Sequence, residues 1–316
     1  MKLASFPTAV LAAACAGVLA LSGCATDGSS TGSGEDKPLS IFATTGYLGD
    51  AATHIAPNAE VEVLVKAGGD PHTYQPSTQD LEKMKQADVV LWNGLHLEAH
   101  MIDQLSGLGE KQISVGDAVS RDKLLPWPEK DEDGNDLHDP HIWNDPQIWG
   151  EAVTAAAEKI GEIDTENADD YRANAEDYAK AIEDATAEGK EKLGAIPEDK
   201  RILVTGHDAF NYFGRTFDLE VHATDFVSSE AEKSAAEINE LANLISEKKV
   251  PTIFVDNLQN PQAITALQEA VDSKGWKTAI SDDELFADTL GDSAPTDTYL
   301  GAFEHNISAI SAGLGQ

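Results

Sequence analysis

The tripeptide Asp-Pro-His occurs twice, as Asp70-Pro71-His72 and again as Asp139-Pro140-His141. Proline fixes the backbone just ahead of each histidine and removes one main-chain donor, and Asp-Pro initiates turns. Each imidazole is therefore expected on a rigid loop rather than inside a helix. Neutral imidazole is the commonest side-chain metal ligand, and its second ring nitrogen needs an acceptor to fix the tautomer. The echo makes His72 and His141 candidate ligands of one metal ion, although two capped loop histidines would give the same spacing. The other histidines carry weaker signals. His96 and His100 are four residues apart and would share a helix face, either as a weak surface metal site or as plain exposed residues. His-Leu-Glu-Ala-His lacks the order of the zinc peptidase motif His-Glu-x-x-His. His138 is a candidate supporting or entry residue, while His54, His222 and His305 read as ordinary loop or helix positions.

Strands and helices must deliver these residues. Residues 39–43, 61–65 and 88–92 are short apolar runs, separated by helix-like segments up to Ile55 and from Asp80 to Ala87. Ser77 followed by Asp80 marks a helix start. Alternating strands and helices joined by Gly-rich loops predict a parallel α/β sheet. Residues 127–138 read as an exposed acidic loop that leads to His141, and residues 146–163 as a helix. Ala168, Tyr171, Ala175, Tyr178, Ile182, Ala185, Gly189 and Leu193 then recur at steps of three and four, one apolar stripe on a long helix. Gly194 and Pro197 stop it. A second α/β pattern follows, with strands at 201–205, within 219–227, at 252–256 and at 276–280. Helices are expected at 208–217, from the Ser234/Glu237 capping box to Lys249, at 261–272 and at 297–314. The layout is lobe, connecting helix, lobe. In open α/β sheets ligands gather outside the carboxyl ends of strands. His72 follows the second strand, His207 follows strand 201–205, and Asp288 lies beyond the strand that ends at Ile280. With His141, these four could meet in a cleft.

The amino terminus has Lys2, an apolar run from Val10 to Leu21, and Leu21-Ser22-Gly23-Cys24. This is the pattern of a secretory signal peptide, and Leu-Ser-Gly-Cys resembles the bacterial lipobox, which implies cleavage before Cys24 and lipidation of its sulfur. Cys15 would leave with the leader, so no cysteine would remain for a disulfide or a thiolate ligand. Residues 24–38 read as a flexible polar tether. The formal charge of the full chain is −34, from 56 acidic against 22 basic residues. That balance argues against nucleic acid and anionic membrane surfaces, both of which select basic patches, and it raises the local concentration of cations. Most of these carboxylates are expected on a solvated surface.

The motifs Gly69-Asp-Pro-His-Thr-Tyr-Gln-Pro76, Asn93-Gly94, Asp139-Pro-His-Ile-Trp143, Val204-Thr-Gly-His-Asp-Ala-Phe-Asn-Tyr-Phe213, Ile253-Phe-Val-Asp256 and Leu285-Phe-Ala-Asp-Thr-Leu-Gly291 together resemble the substrate-binding lipoproteins of zinc and manganese ABC importers, the ZnuA/TroA type of cluster A-I solute-binding proteins. The resemblance spans residues 39–316. It implies two α/β lobes with mostly parallel sheets, joined by one long helix, with a metal site in the cleft. It also implies the ligands His72, His141, His207 and Asp288. The chain departs from the family pattern at Asn144 and Asp256, neither a ligand position, and it lacks the long histidine-rich loop of many zinc importers.

The resemblance implies a non-enzymatic receptor, acting as a monomer and lipid-anchored to the outer face of the cytoplasmic membrane. It would pass one divalent transition metal to an ABC permease and its ATPase. Three imidazoles and one carboxylate suit zinc, then manganese, and the Irving–Williams order places zinc ahead. The expected boundaries are 1–23 leader, 24–38 tether, 39–165 first lobe, 166–194 connecting helix and 195–316 second lobe. Release is expected to involve small lobe tilts limited by that helix, with the Asp288 loop as the mobile half. A surface adhesin with an incidental metal site and a metal-dependent hydrolase are the alternative readings.

Overall fold

The computed structural model describes residues 37–131, 134–225, 233–257 and 261–315. The leader, Cys24 and the tether up to residue 36 lie outside the described residues, as do two residues of the acidic 127–138 segment and the end of the strand expected within 219–227. No helix among the described residues is long and apolar enough to cross a membrane.

The first lobe begins with β1 (Ser40–Ala43), α1 (Gly46–Ile55), β2 (Glu60–Val63), α2 (Thr78–Gln86) and β3 (Val89–Trp92). It continues with α3 (Ile102–Ser106), β4 (Gln112–Ser114), α4 (Val115–Ala118), β5 (Pro126–Lys130), β6 (Asp136–His138) and α5 (Pro146–Ile163). The sheet order is β2-β1-β3-β4, and every pairing is parallel. Central β3 reads Val-Val-Leu-Trp and is buried throughout, whereas edge β2 reads Glu-Val-Glu-Val and is half exposed. That contrast follows from position, since a central parallel strand is covered on both faces.

Asp145 starts α5: its carboxylate accepts from the amides of Gln147 and Ile148, and Pro146 stands at the first helical position. The long helix α6 (Ala168–Gly194) has 27 residues, roughly 40 Å at 1.5 Å per residue. Tyr171, Ala175, Tyr178, Ile182, Ala185, Gly189 and Leu193 of the expected stripe are buried, and only Ala168 is partly exposed. Tyr178 donates to Asp50 of α1 at 2.5 Å, and Asn174 donates to the carbonyl of Ile55 at 2.9 Å. The far end of α6 packs on the second lobe. A methyl group on Gly189 would come within 2.7 Å of Ile307 and 2.9 Å of Phe217.

The second lobe carries β7 (Ile202–Thr205), α7 (Asn211–Phe217), β8 (Glu220–Ala223), α8 (Ala235–Lys248), β9 (Thr252–Ile253), α9 (Pro261–Ser273), β10 (Ala279–Ile280) and α10 (Tyr299–Leu314). β7 pairs with β8 and β9 with β10, both in parallel. The Phe254 amide donates to the Val204 carbonyl at 2.8 Å and joins the two pairs. Ile202, Val204, Leu241, Ile245, Ile253 and Leu267 form this lobe's own core.

Several expectations need correction. Residues 127–138 are not a plain loop, because β5 and β6 form an antiparallel hairpin. Its turn is held by the Gly134 amide on the Asp131 carbonyl and the Asn135 amide on the Asp131 carboxylate. Helix α7 begins at Asn211 rather than at residue 208, since residues 207–210 stay in the strand-exit loop. The strands expected at 252–256 and 276–280 are two residues each, although Asp256 still bridges to Leu285. His96 and His100 do not share a helix face. Leu95 and His96 take positive φ values of 52° and 69°, so a tight turn separates them from the 3-10 turn that holds His100.

Candidate metal centre

The strand exits of the two lobes face each other. His72 lies in the loop after β2, His141 follows the β5–β6 hairpin, His207 follows β7, and Asp288 lies in the loop beyond β10. The loop before His72 turns at Gly68, where φ is +73° and glycine carries no penalty.

The four side chains meet. One ligand atom from each lies within 4.8 Å of all the others. Nε2 of His141 is 3.2 Å from Nε2 of His72 and 3.2 Å from Nε2 of His207. The Asp288 Oδ2 is 3.4 Å from His72 and 3.3 Å from His207, while Oδ1 is 3.3 Å from His141. Tetrahedral donors about 2.0–2.1 Å from a zinc ion stand about 3.3–3.4 Å apart, so these edges fit one ion. His72 is 4 % exposed, His141 0 %, His207 3 % and Asp288 0 %.

Electrostatics make the same point. Burial raises the Asp288 carboxyl, but His207 and His141 beside it hold it well below the usual range. Burial pushes each imidazole down. At His72 burial prevails and the ring is lowered, whereas at His207 the Asp288 carboxylate overcomes burial and raises it. At His141 burial is outweighed by Asp139 and Asp288, which lift the ring to about 10. Neither Asp288 oxygen has a hydrogen-bond partner. A buried carboxylate facing three ring nitrogens needs positive charge beside it, from protonated imidazoles or from an ion at the centre. The cluster is compatible with one metal ion.

The supports explain how the sequence holds this geometry. Asp70 accepts from the His72 amide at 2.8 Å, and Asp139 accepts from the His141 amide at 3.0 Å. The two Asp-Pro-His segments therefore close the same bond from aspartate side chain to histidine amide. Glu98, buried and raised by desolvation, accepts from the Thr44 hydroxyl at 2.6 Å and from the amides of Asn93 and Gly94. Asn93 in turn donates to the Pro140 carbonyl at 2.9 Å. The His207 amide donates to Asp256 at 2.7 Å. Asn144 donates to the Ala209 carbonyl at 2.9 Å across the lobes. The two positions at which the sequence departs from the family pattern, Asn144 and Asp256, thus both support the site; no local sequence signal marks either. The peptide before Asp288 receives the Trp143 indole N–H at 2.8 Å and the Tyr47 hydroxyl at 3.2 Å on the Ala287 carbonyl.

The remaining histidines stay outside. His138 lies on β6 with Nδ1 buried and unpartnered, and it is not part of the cluster. His54 stacks on Tyr178 at 4.2 Å, His222 pairs with Glu220, and His305 contacts the Glu284 carbonyl. A recess of about 640 Å³, lined by Gly68, Asp70, Asn257, Glu284 and Asp292 among others, opens beside the Asp288 loop. A larger groove of about 980 Å³ between α5 and α6 holds none of the four.

Two α/β lobes bridged by one long helix, with three imidazoles and a carboxylate enclosed between them, define a class of two-lobed metal-binding proteins. The chain belongs to the ZnuA family, described as zinc-uptake complex component A, periplasmic, whose model matches residues 41–313. It is 34 % identical to the manganese-binding lipoprotein MntA of Bacillus subtilis, over 96 % of this chain and 98 % of that protein. It is 33 % identical to the zinc-binding protein TroA of Treponema pallidum, over 92 % of each. The solved structure of periplasmic zinc-binding TroA from Treponema pallidum matches with a TM-score of 0.81 at 32 % identity, covering 88 % of this chain and 99 % of that one.

Proposed function

We propose that His72, His141, His207 and Asp288 hold one divalent transition metal ion as cargo, and that the protein is an extracytoplasmic receptor delivering it to an ABC permease and its ATPase. The Asp288 carboxylate, buried against three converging imidazoles and accepting no hydrogen bond, carries this reading. Zinc is the first candidate and manganese the second. The Irving–Williams order favours zinc in a shared site. Both Asp288 oxygens face imidazole nitrogens, so a bidentate carboxylate would supply a fifth donor, which manganese also accepts. The names of the relatives support the same pair, since near-equal identity joins this chain to a manganese binder and a zinc binder.

The boundaries we propose are a leader at 1–23, a tether at 24–38, lobes at 39–165 and 195–316, and a connecting helix at 166–194. Cys24 would carry the lipid anchor, and the receptor would act as a monomer. A hydrolytic centre keeps one coordination position open to water. Here four protein side chains converge on one centre out of solvent contact, which supports capture and transfer over catalysis.

Calorimetry on the demetallated protein, with zinc and manganese in separate titrations, tests the reading. We expect sub-micromolar binding of zinc, and loss of that binding in His72→Ala. His207→Glu should shift preference toward manganese. Binding of neither ion below micromolar would refute the proposal.

A further inference from the structure

The three imidazoles are held in three different ways. His207 is fixed through its main chain, and its Nδ1 is buried without a partner. His72 is fixed by Asp70, whose second oxygen accepts from the Thr73 hydroxyl at 2.9 Å. His141 has a carboxylate on its far ring nitrogen: Asp139 Oδ1 accepts from Nδ1 at 2.7 Å as well as from the amide. The same tripeptide meets its histidine differently in the two loops. Asp70 accepts from the His72 amide and the Thr73 hydroxyl, whereas Asp139 accepts from both the amide and the ring of His141.

Asp139 is itself gripped by the opposite lobe. It is 1 % exposed. Its Oδ2 accepts from Asn211 Nδ2 at 3.1 Å, and its carbonyl accepts from the Tyr212 hydroxyl at 2.9 Å. Tyr212 also accepts from the Leu125 amide at 3.0 Å, at the base of the β5–β6 hairpin. Asn211 and Tyr212 open α7, a few residues beyond His207. The carboxylate that aims a first-lobe ligand is thus held by the helix that follows a second-lobe ligand.

We propose that Asp139 is a positioning residue for His141, and that Asn211 makes this positioning depend on how the second lobe packs against the first. The carboxylate keeps the proton on Nδ1, so the Nε2 lone pair faces the centre, and it strengthens that nitrogen as a donor. A shift of α7 away from the hairpin withdraws Asn211 and Tyr212 together and frees Asp139 to turn. His141 is then the strongest imidazole ligand while the lobes are packed, and it weakens as they part. His207, with no acceptor on Nδ1, lacks this support.

The inference rests on the metal-receptor reading above, and one experiment separates the two. The full chain is demetallated and titrated with zinc by calorimetry. Cobalt(II) absorption reports ligand geometry, and imidazole nitrogen NMR reports the His141 tautomer. Asp139→Asn keeps an acceptor oxygen but removes the charge. It is expected to weaken zinc binding about 10–100-fold, shift the cobalt bands, and move or broaden the His141 Nδ1–H resonance. Asn211→Ala should produce the same spectral changes with a smaller loss of affinity. If the unaltered protein binds no zinc, the receptor reading fails. If it binds zinc and Asp139→Asn matches it in affinity and resonance, the positioning role is overturned. Should Asp139→Asn not fold, Asn211→Ala decides alone, and an unchanged tautomer signal and affinity overturn the coupling.

Discussion

Trp143 shows how much one side chain can connect. It lies two residues past His141 and meets that ring edge-on, with centroids 5.4 Å apart and planes at 79°. It stacks on Tyr47 at 4.9 Å, and its indole N–H reaches the Ala287 carbonyl. The peptide that carries Asp288 is thus tied to the residues that carry His141. This tie qualifies the expectation that the Asp288 loop moves alone, because its motion must break hydrogen bonds from the first lobe. Those bonds include the Gly68 amide on the Thr289 hydroxyl at 3.2 Å. Trp143→Phe retains most of the packing and deletes one buried donor, at a cost of about 1 kcal/mol. We expect a lower melting temperature and faster metal loss, read by stopped-flow mixing with a chromogenic chelator. A loss rate equal to that of the unaltered protein would show that the indole bond does not restrain the loop.

Among the elements, helix starts are the most local features and the most legible. Ser77 and Asp80 form a reciprocal capping box at α2, as Ser234 and Glu237 do at α8. The Asp80 carboxyl is held below its usual range, chiefly by the Ser77 hydroxyl. An unfolded aspartate titrates near about 3.9. The stabilisation is therefore present above that value and lost as pH falls through the lower folded value. Asp80→Ala should cost about 0.3–1.5 kcal/mol at neutral pH, toward the lower end because the site is exposed. Urea midpoints of the two proteins should converge as pH drops below about 4. A gap that persists undiminished in acid would assign the loss to something other than the carboxylate.

The connecting helix is legible for a similar reason, since its burial pattern repeats with the helical period from Tyr171 to Leu193. The hairpin was not legible. Pro126 and Pro128 argue against a strand, and only the partner strand across the Asp131–Asn135 turn makes β5 one. Left-handed backbone at Leu95 and His96 likewise leaves no trace in the hydrophobic pattern, so the spacing of His96 and His100 suggests a helix face where a turn stands. The strand-exit rule places His72, His207 and Asp288 at the carboxyl ends of strands in two lobes, and the structure brings all four candidates together. Asp256, Asn144 and Asn211 act through contacts between distant segments, and a single chain carries no periodic signal for such contacts.

At the scale of the whole molecule, α6 spans both lobes and its buried stripe belongs to one apolar core that continues from the first lobe into the second, while each lobe adds a smaller core of its own, so the cleft is a seam above a shared base. The full chain is strongly acidic, with 56 acidic against 22 basic residues. Asp70, Glu284 and Asp292 line the recess beside the Asp288 loop. Charge of this sign draws cations toward the seam, and added salt screens the attraction.

The near-complete burial of the four donors has a kinetic consequence. With exposures of 4 % or less, a chelator outside cannot touch an enclosed ion while the lobes are packed. Exchange then waits for the seam to part, and the chelator only collects what has already escaped. Metal loss into excess EDTA should follow one rate constant that stays level as EDTA is raised, as in emptying a locked compartment. A rate that climbs in proportion to EDTA would mean that the ion is stripped from outside, one ligand at a time.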